Sequence, residues 1–321
     1  MASINKGKGT LLKNKGKIKW SAGLVYCIVL LIFGFLIQNI SDNWSQVLEI
    51  RVNFQPGLLS LSVLLLISYF FLLALLWELI TRRVGLKLPL RRTVYYWFLS
   101  QLGKYVPGKI VFVMSRAYFY KKEGFRISIT ASAFLLETIA GVISLSLISL
   151  ILIAPYLTRD MVYLVLVLLL VLFGLHPRMV ELAVSGLNRL LGRQSVALNV
   201  RWRDWILINV LYGCNFFLLA GGAFFLFCKS IFNVNGEQAL FLIGALGLSG
   251  ALGMIAFFAP AGLGVREGSL FFLLSKIMPE AEAAVISISS RVWMMCSELI
   301  LIAIVYGIFH SGSVFGKGEK R

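Results

Sequence analysis

The sequence predicts an all-α, polytopic integral membrane protein, with about six full spans and two re-entrant or broken helical hairpins, eight membrane elements in all. Three observations support this class. Of the 321 residues, 59% are hydrophobic and 14% are charged, whereas soluble domains are roughly 45–50% apolar and about 25% charged. The apolar runs are long and lack the alternation of a transmembrane barrel. Two of the runs are interrupted by Pro/Gly breaks that carry charge.

The spans follow from the length of the apolar runs, since a spanning helix needs about 20 residues. Residues 1–19 are lysine-rich and predict a basic cytoplasmic tail that touches anionic headgroups. The predicted full spans are 20–40, 56–80, 127–153, 161–175, 205–228 and 284–309. Residues 179–191 predict an amphipathic surface helix, and 311–321 a second cytoplasmic tail. Lysine and arginine concentrate in alternate loops, so we expect both termini to be cytoplasmic.

The first hairpin is predicted near 93–120. Its two apolar halves are each too short to cross, and a basic loop flanks it on either side. Backbone that leaves helical geometry at membrane depth must be covered by protein or line a cavity, because lipid cannot satisfy its polar groups. An alternative interpretation treats the same halves as two tilted half-spans.

The second hairpin is predicted near 238–278, with its break at 259–265. Residues 238–258 are glycine-rich and also long enough to cross fully, so both interpretations stay open for that helix. If both termini lie inside, the second hairpin enters from outside. Segments 93–153 and 238–309 therefore form a weak inverted repeat, a pattern that points to a transporter-type site near the breaks.

The first break brings cations together. After Pro107 and Gly108 a helix begins inside the membrane, and the positive end of its dipole favours an anion. Lys109 lies in its first turn, Lys104 just before the break, and Arg116 on the same helical face. We predict that this group binds a phosphate, which arginine can contact through two donors. The alternative is that Lys104 and Arg116 extend to the membrane surface.

The second break offers a comparable arrangement. Gly262 and Gly264 permit close backbone approach and positive φ angles. Arg266 and Glu267 then begin a short helix. We predict that all four residues take part in substrate binding, and the alternative is that the two charged side chains pair with the other half of the chain.

Three further charges lie inside predicted spans, where ionisable side chains are costly and usually face the interior. They are Glu137, Arg291 and Glu298. We predict an intramembrane charge network that either clamps the helices or exchanges partners during transport. With the hairpin charges included, cations outnumber carboxylates, which favours an anionic substrate.

Several kinds of chemistry lack a motif. The sequence has no zinc motif, no P-loop ahead of a helix and no acidic cluster suited to catalytic Mg²⁺. We therefore expect no metal, no cofactor, no catalytic residue and no enzyme activity. The formal charge of +17 lies mostly between apolar spans, so membrane topology explains it and nucleic acid is not an expected partner.

Three groups of residues carry a resemblance to a known family: Pro107-Gly108-Lys109 with Arg116 and Gly124, residues 260–267, and Arg291. At these positions the chain resembles the flippase-like family that shares the transmembrane domain of bacterial lysylphosphatidylglycerol synthase. The resemblance covers about 20–310, which we take as one transmembrane domain. It implies a prokaryotic plasma-membrane protein with re-entrant helices that moves lipids between leaflets. The soluble aminoacyl-transferase domain of the full synthase would follow the last span, whereas this chain stops at Arg321, so we expect no lysyl-lipid synthesis.

The predicted function is transport of a phosphate-bearing anionic lipid: a phospholipid, an aminoacyl-phospholipid or a polyprenyl-phosphate-linked sugar. The expected partners are membrane lipids with anionic headgroups, and a homo-oligomer or a lipid-modifying enzyme partner stays open. One alternative is a non-transporting subunit that regulates a lipid- or glycan-modifying enzyme, docked through the basic segment 178–203. Another is an intramembrane glycosyl or lipid transferase.

Overall fold

The computed structural model describes residues 54–105, 110–156, 176–190, 201–256 and 259–311. Over these ranges the regular structure is entirely helical, without a strand, as predicted. The helices are α1 (Pro56–Arg83), α2 (Leu90–Gln101), α3 (Ile110–Lys122), α4 (Ile127–Ile153), α5 (Pro177–Leu190), α6 (Trp202–Asn215), α7 (Gly222–Ile231), α8 (Ala239–Ile255), α9 (Val265–Leu274) and α10 (Glu280–Ser311).

Within the described ranges, five helices are long and apolar enough to cross a membrane: Pro56–Arg83, Ile127–Tyr156, Trp202–Ile231, Gly236–Ile255 and Glu280–Phe309. Four of them coincide with predicted full spans. The fifth is the first helix of the second predicted hairpin, so it is long enough for a complete crossing. Two predicted spans lie outside the described residues, namely 20–40 and 161–175. The predicted tails also lie outside them, apart from Ser311 at the end of α10.

The long helices are apolar on nearly every side, as expected of helices that face lipid as well as protein. In α1, Leu66 and Trp77 are fully buried while Leu64 is 60% exposed. Pro56 occupies the first helical turn, where a missing N–H costs nothing, and Arg82 and Arg83 end the helix at its negative pole. The ends of α1 are therefore set by local sequence, and its body by apolar packing.

Helix α8 packs closely on α4 through glycines. A Cβ added at Gly247 would lie 2.2 Å from the Ser149 hydroxyl, and one at Gly244 would lie 2.8 Å from Ile153. Small residues allow helix backbones to approach where lipid supplies no hydrophobic drive for association. Helices α4 and α8, one from each predicted half, thus form the centre of the bundle.

Helix α5 is the amphipathic helix predicted at 179–191, and in the structure it begins two residues earlier. Val180 and Val184 are buried, and the helix packs on α4. Leu182, on the opposite side, is 64% exposed, and Arg178 is also exposed. The helix therefore lies on the outside of the bundle.

The segments around both breaks fold back on themselves. In the first, Arg92 near the start of α2 donates a 2.8 Å hydrogen bond to Glu123, which follows α3, and Gly103, after α2, approaches Phe112 near the start of α3. In the second, Gln238, just before α8, donates a 3.2 Å hydrogen bond to the carbonyl of Ile277, which follows α9. Each pair of helices is therefore an antiparallel hairpin.

The two breaks meet. Short 3₁₀ turns mark them, Leu102–Tyr105 after α2 and Pro260–Gly262 before α9, and these turns contact each other. In the second break Ala261, Gly262 and Gly264 have φ angles of +50°, +71° and +82°, so the backbone leaves helical geometry there. Residues from both halves of the chain are consequently brought to one place.

Candidate functional site

In the first hairpin, Arg116 is committed to a buried ion pair. Its side chain is 1% exposed, and its Nη1 donates to a carboxylate oxygen of Glu137 on α4. Its Nε donates a 2.9 Å hydrogen bond to the hydroxyl of Ser100 on α2. The indole N–H of Trp97 donates to the second oxygen of Glu137 at 2.9 Å. Both carboxylate oxygens of Glu137 are therefore satisfied.

Four aromatic rings enclose the same guanidinium. Its carbon lies 4.4 Å from the ring centroid of Trp77, 5.6 Å from Trp97, 5.1 Å from Phe112 and 5.4 Å from Phe134. Rings at these distances attract a cation and exclude water from it. Of the three nitrogens of the Arg116 guanidinium, Nη2 is the one that has no hydrogen-bond partner among the described residues. We call Arg116, Glu137 and these four rings the caged pair.

In the second hairpin the charges are reversed and held less tightly. Glu267, 1% exposed, accepts a 2.7 Å hydrogen bond from the backbone N–H of Gly264. Its other oxygen lies 3.5 Å from Nε of Arg291 on α10, too far for a good hydrogen bond. Nη2 of Arg291 instead donates to the carbonyl of Ala261 at 3.1 Å. Arg291 thus divides its donors between a carboxylate and the broken backbone, and we call Glu267 and Arg291 the open pair.

A third ion pair joins the two halves of the chain. Lys104, in the turn that follows α2, contacts a carboxylate oxygen of Glu298 on α10. Glu298 is 1% exposed, and the ammonium group lies 5.9 Å from the ring centroid of Phe70. Because Lys104 belongs to the first break and α10 packs on the second hairpin, this pair ties the two breaks together.

Arg266 differs from these cations in its partner. It lies in the first turn of α9, is half-buried, and its Nη1 lies 2.8 Å from the sulfur of Met294. Thioether sulfur is a weak acceptor. Within the described part of the chain no carboxylate oxygen lies within 4.0 Å of this guanidinium. Arg266 is nonetheless within electrostatic range of Arg291, Glu267 and Glu298.

The structure therefore divides the predicted site residues into two groups. Arg116 and Glu137 form the caged pair. Around the second break the structure brings together the other group: Lys104, Gly262, Gly264, Arg266, Glu267, Arg291 and Glu298. Pro107, Gly108 and Lys109 lie outside the described residues. The headgroup role predicted for Arg116 stays a prediction, and in this conformation its guanidinium is enclosed by aromatic rings, with the side chain 1% exposed.

Some residues of the site were not predicted from sequence. Trp77, Trp97 and Ser100 enclose or hydrogen-bond the caged pair, and Met294 contacts Arg266. An aromatic or a methionine in an apolar helix gives no sequence signal of its own, because such residues usually fill a core. The hydroxyl of Thr138, the residue after Glu137, donates a hydrogen bond to the carbonyl of Phe134 in its own helix, α4.

A comparison with known protein families decides the relationship of this chain. The family model described as the lysylphosphatidylglycerol synthase TM region matches residues 20–297. The chain belongs to this family. Membership confirms the resemblance seen in the sequence motifs and links this membrane domain to lipid handling. Together with the five helices of spanning length in the described part of the chain, family membership fits a multi-pass membrane protein. No curated protein and no solved structure matches the chain.

Proposed function

We propose that this protein is a flippase that moves a lipid with a negatively charged phosphate headgroup from one leaflet to the other. One observation carries the proposal: Arg266 is a half-buried cation on a short helix beside the two breaks, and the side-chain acceptor that its guanidinium contacts within the described residues is a methionine sulfur. A cation within a membrane-spanning bundle is costly and is usually paired or functional. A phosphate can supply the missing acceptor, with two oxygens to the guanidinium fork.

The neighbouring residues have distinct roles in this proposal. Arg266 binds the headgroup directly. Gly262 and Gly264 shape the backbone of the second break, and Arg291 holds that backbone through the Ala261 carbonyl. Lys104 adds positive charge beside the headgroup while it stays paired with Glu298 and holds the two breaks together, and the acyl or prenyl chains remain in lipid.

The finer features of the prediction belong to the same proposal. The protein transports the lipid without changing it chemically, lies in the plasma membrane of a prokaryote, and has both termini in the cytoplasm. Its partners are membrane lipids with anionic headgroups. Pro107, Gly108 and Lys109 complete the site from the first break, and Arg116 holds the first hairpin in place for it.

A transport assay tests the proposal. Purified protein is reconstituted in liposomes that carry a headgroup-labelled fluorescent phosphatidylglycerol, and dithionite quenching reports its movement between leaflets. We expect Arg266→Met to lower the rate at least about tenfold, because the phosphate loses its charged donor. Arg266→Lys, which keeps the charge but not the fork, should fall between the two.

The matched control is Arg178→Met. It removes the same charge from an exposed position on α5, away from both breaks. This variant should transport at the wild-type rate. If Arg266→Met, folded to the same extent as wild type, also transports at that rate, the assignment of the headgroup to Arg266 is wrong.

A further inference from the structure

The charges around the second break also bear on which headgroup the protein takes, a question that depends on the proposed function. The charged residues that the structure describes there are the cations Lys104, Arg266 and Arg291 and the carboxylates of Glu267 and Glu298. Three cations and two carboxylates leave one positive charge. A ligand of net negative charge offsets this excess, a zwitterionic headgroup leaves it in place, and a headgroup with an additional ammonium group increases it.

The carboxylates of this neighbourhood are already engaged. Glu267 accepts from the Gly264 N–H with one oxygen and faces Arg291 with the other. Glu298 holds Lys104. An ammonium group on a ligand would have to take a carboxylate from one of these cations. Breaking a buried ion pair in this way leaves an uncompensated charge, which costs more than the new contact returns.

The caged pair offers no alternative acceptor. Both oxygens of Glu137 already receive donors, from Arg116 and from the Trp97 indole. The carboxylate is 13% exposed and lies beside the cage of aromatic rings. Each of the intramembrane glutamates Glu137, Glu267 and Glu298 that the structure describes is therefore already in an ion pair, so an ammonium group would have to displace a cation from it.

Arg266 presents the opposite situation. Its acceptor, the sulfur of Met294, is neutral and weak, so it is released without leaving a charge unpaired. A phosphate oxygen is a much stronger acceptor for a guanidinium. The site is therefore able to receive an anion at Arg266 without disrupting any of the three ion pairs.

We infer that the protein selects lipids whose headgroup is a phosphate ester of net negative charge, and discriminates against lipids whose headgroup carries an ammonium group, aminoacylated phospholipids included. Among the three substrate classes that the sequence leaves open, this disfavours the aminoacyl-phospholipid. The phospholipid and the polyprenyl-phosphate-linked sugar share the required chemistry. Selection rests on the charge balance around Arg266, so it should depend on that residue.

Lipid competition tests the inference. The full chain, in detergent micelles, receives equal amounts of phosphatidylglycerol, phosphatidylethanolamine and lysyl-phosphatidylglycerol, whose headgroups carry net charges of about −1, 0 and +1 from their phosphate and amine groups. Native mass spectrometry then measures how much of each lipid is retained. We expect retention in that order, with phosphatidylglycerol favoured over the lysyl lipid about tenfold or more, the factor that corresponds to about 1.4 kcal/mol.

Variants identify the source of the preference. Arg266→Met should reduce it towards equal retention, whereas Arg178→Met, which removes an exposed arginine, should preserve it. Met294→Leu removes the sulfur acceptor without changing charge, so phosphatidylglycerol retention should increase. A further arm adds millimolar inorganic phosphate: if the lipid is the ligand, its retention does not change, whereas complete displacement of the lipid would show that the site prefers the free ion to a lipid headgroup and would overturn the inference that it selects lipids.

The two proposals fail differently. Equal or greater retention of the lysyl lipid by the wild-type protein overturns the selectivity inference, and if that retention still depends on Arg266, the proposed headgroup site stands. If Arg266→Met changes neither lipid retention nor transport in liposomes, the proposed site itself is wrong.

Discussion

The two hairpins solve the same structural problem with opposite charges. In the first, a cation on the short helix α3 pairs with a carboxylate on the long helix that follows it, Arg116 with Glu137. In the second, a carboxylate on the short helix α9 pairs with a cation on the following long helix, Glu267 with Arg291. Each broken hairpin is thus fastened to the next helix by one buried ion pair.

The pairs differ in how completely they are satisfied. In the caged pair the two charges are hydrogen-bonded to each other, Trp97 also donates to Glu137, Arg116 also donates to Ser100, and four rings surround the guanidinium. In the open pair the charges are 3.5 Å apart, and neither Nε of Arg291 nor Oε1 of Glu267 has a hydrogen-bond partner among the described residues. The more completely a buried polar network is satisfied, the more it rigidifies its surroundings, and the caged pair is the more completely satisfied of the two. Under the proposed function we therefore expect the first hairpin to serve as a scaffold and the second to respond to the ligand.

The largest expected effect comes from breaking the caged pair. Arg116→Met leaves the Glu137 carboxylate without its cation in an aromatic surrounding, and should lower the free energy of unfolding by about 3–5 kcal/mol. Arg266→Met removes a half-buried cation whose acceptor is a sulfur, and should cost about 1 kcal/mol or less. Unfolding by SDS titration of the protein in mixed micelles measures both.

A double variant serves as the control for this comparison. Arg116→Met with Glu137→Leu replaces the ion pair by apolar side chains and should recover most of the lost stability, because no charge is then left unpaired. A double variant as unstable as Arg116→Met alone would show that the rings and Ser100, rather than the charges, hold this hairpin. An equal loss in Arg266→Met would remove the distinction between the two hairpins.

A smaller effect is expected at the second break. Gly262 has a φ of +71°, and a Cβ there would lie 2.7 Å from the carbonyl oxygen of Gly253. Gly262→Ala should therefore cost about 2–3 kcal/mol, from backbone strain and the clash together. Gly124 has a φ of +88° but open space around its Cα, so Gly124→Ala should cost only about 1 kcal/mol. Thermal unfolding in detergent compares them, and equal losses would mean that the close approach of Gly262 to α8 contributes nothing.

Much of this arrangement could be predicted from sequence, and the limit lies at side-chain partners. The lengths of the apolar runs predicted α1, α4 and α10, and the Pro/Gly motif predicted a break at 259–265, where the structure has the 3₁₀ turn Pro260–Gly262. Charges inside apolar runs identified Glu137, Arg291 and Glu298 as network residues because burial of a lone charge is costly. Which cation meets which carboxylate depends on how the helices are rotated about their axes, and periodicity does not define that rotation in helices apolar on all sides.

The smallest predicted effect is the difference in stability between lysine substitutions at Arg291 and at Arg116. Arg291→Lys keeps a positive charge near Glu267 but cannot reach both this carboxylate and the Ala261 carbonyl, so it should cost about 1 kcal/mol, the value of one hydrogen bond. Arg116→Lys keeps the charge beside Glu137 but loses the Ser100 hydrogen bond and the stacking of a planar group on four rings, and should cost about 2 kcal/mol. SDS titration resolves a difference of this size when both variants are measured in the same micelles. If Arg291→Lys costs as much as Arg116→Lys, the open pair is held as tightly as the caged pair, and a ligand at Arg266 would have to be accommodated without movement of the second hairpin.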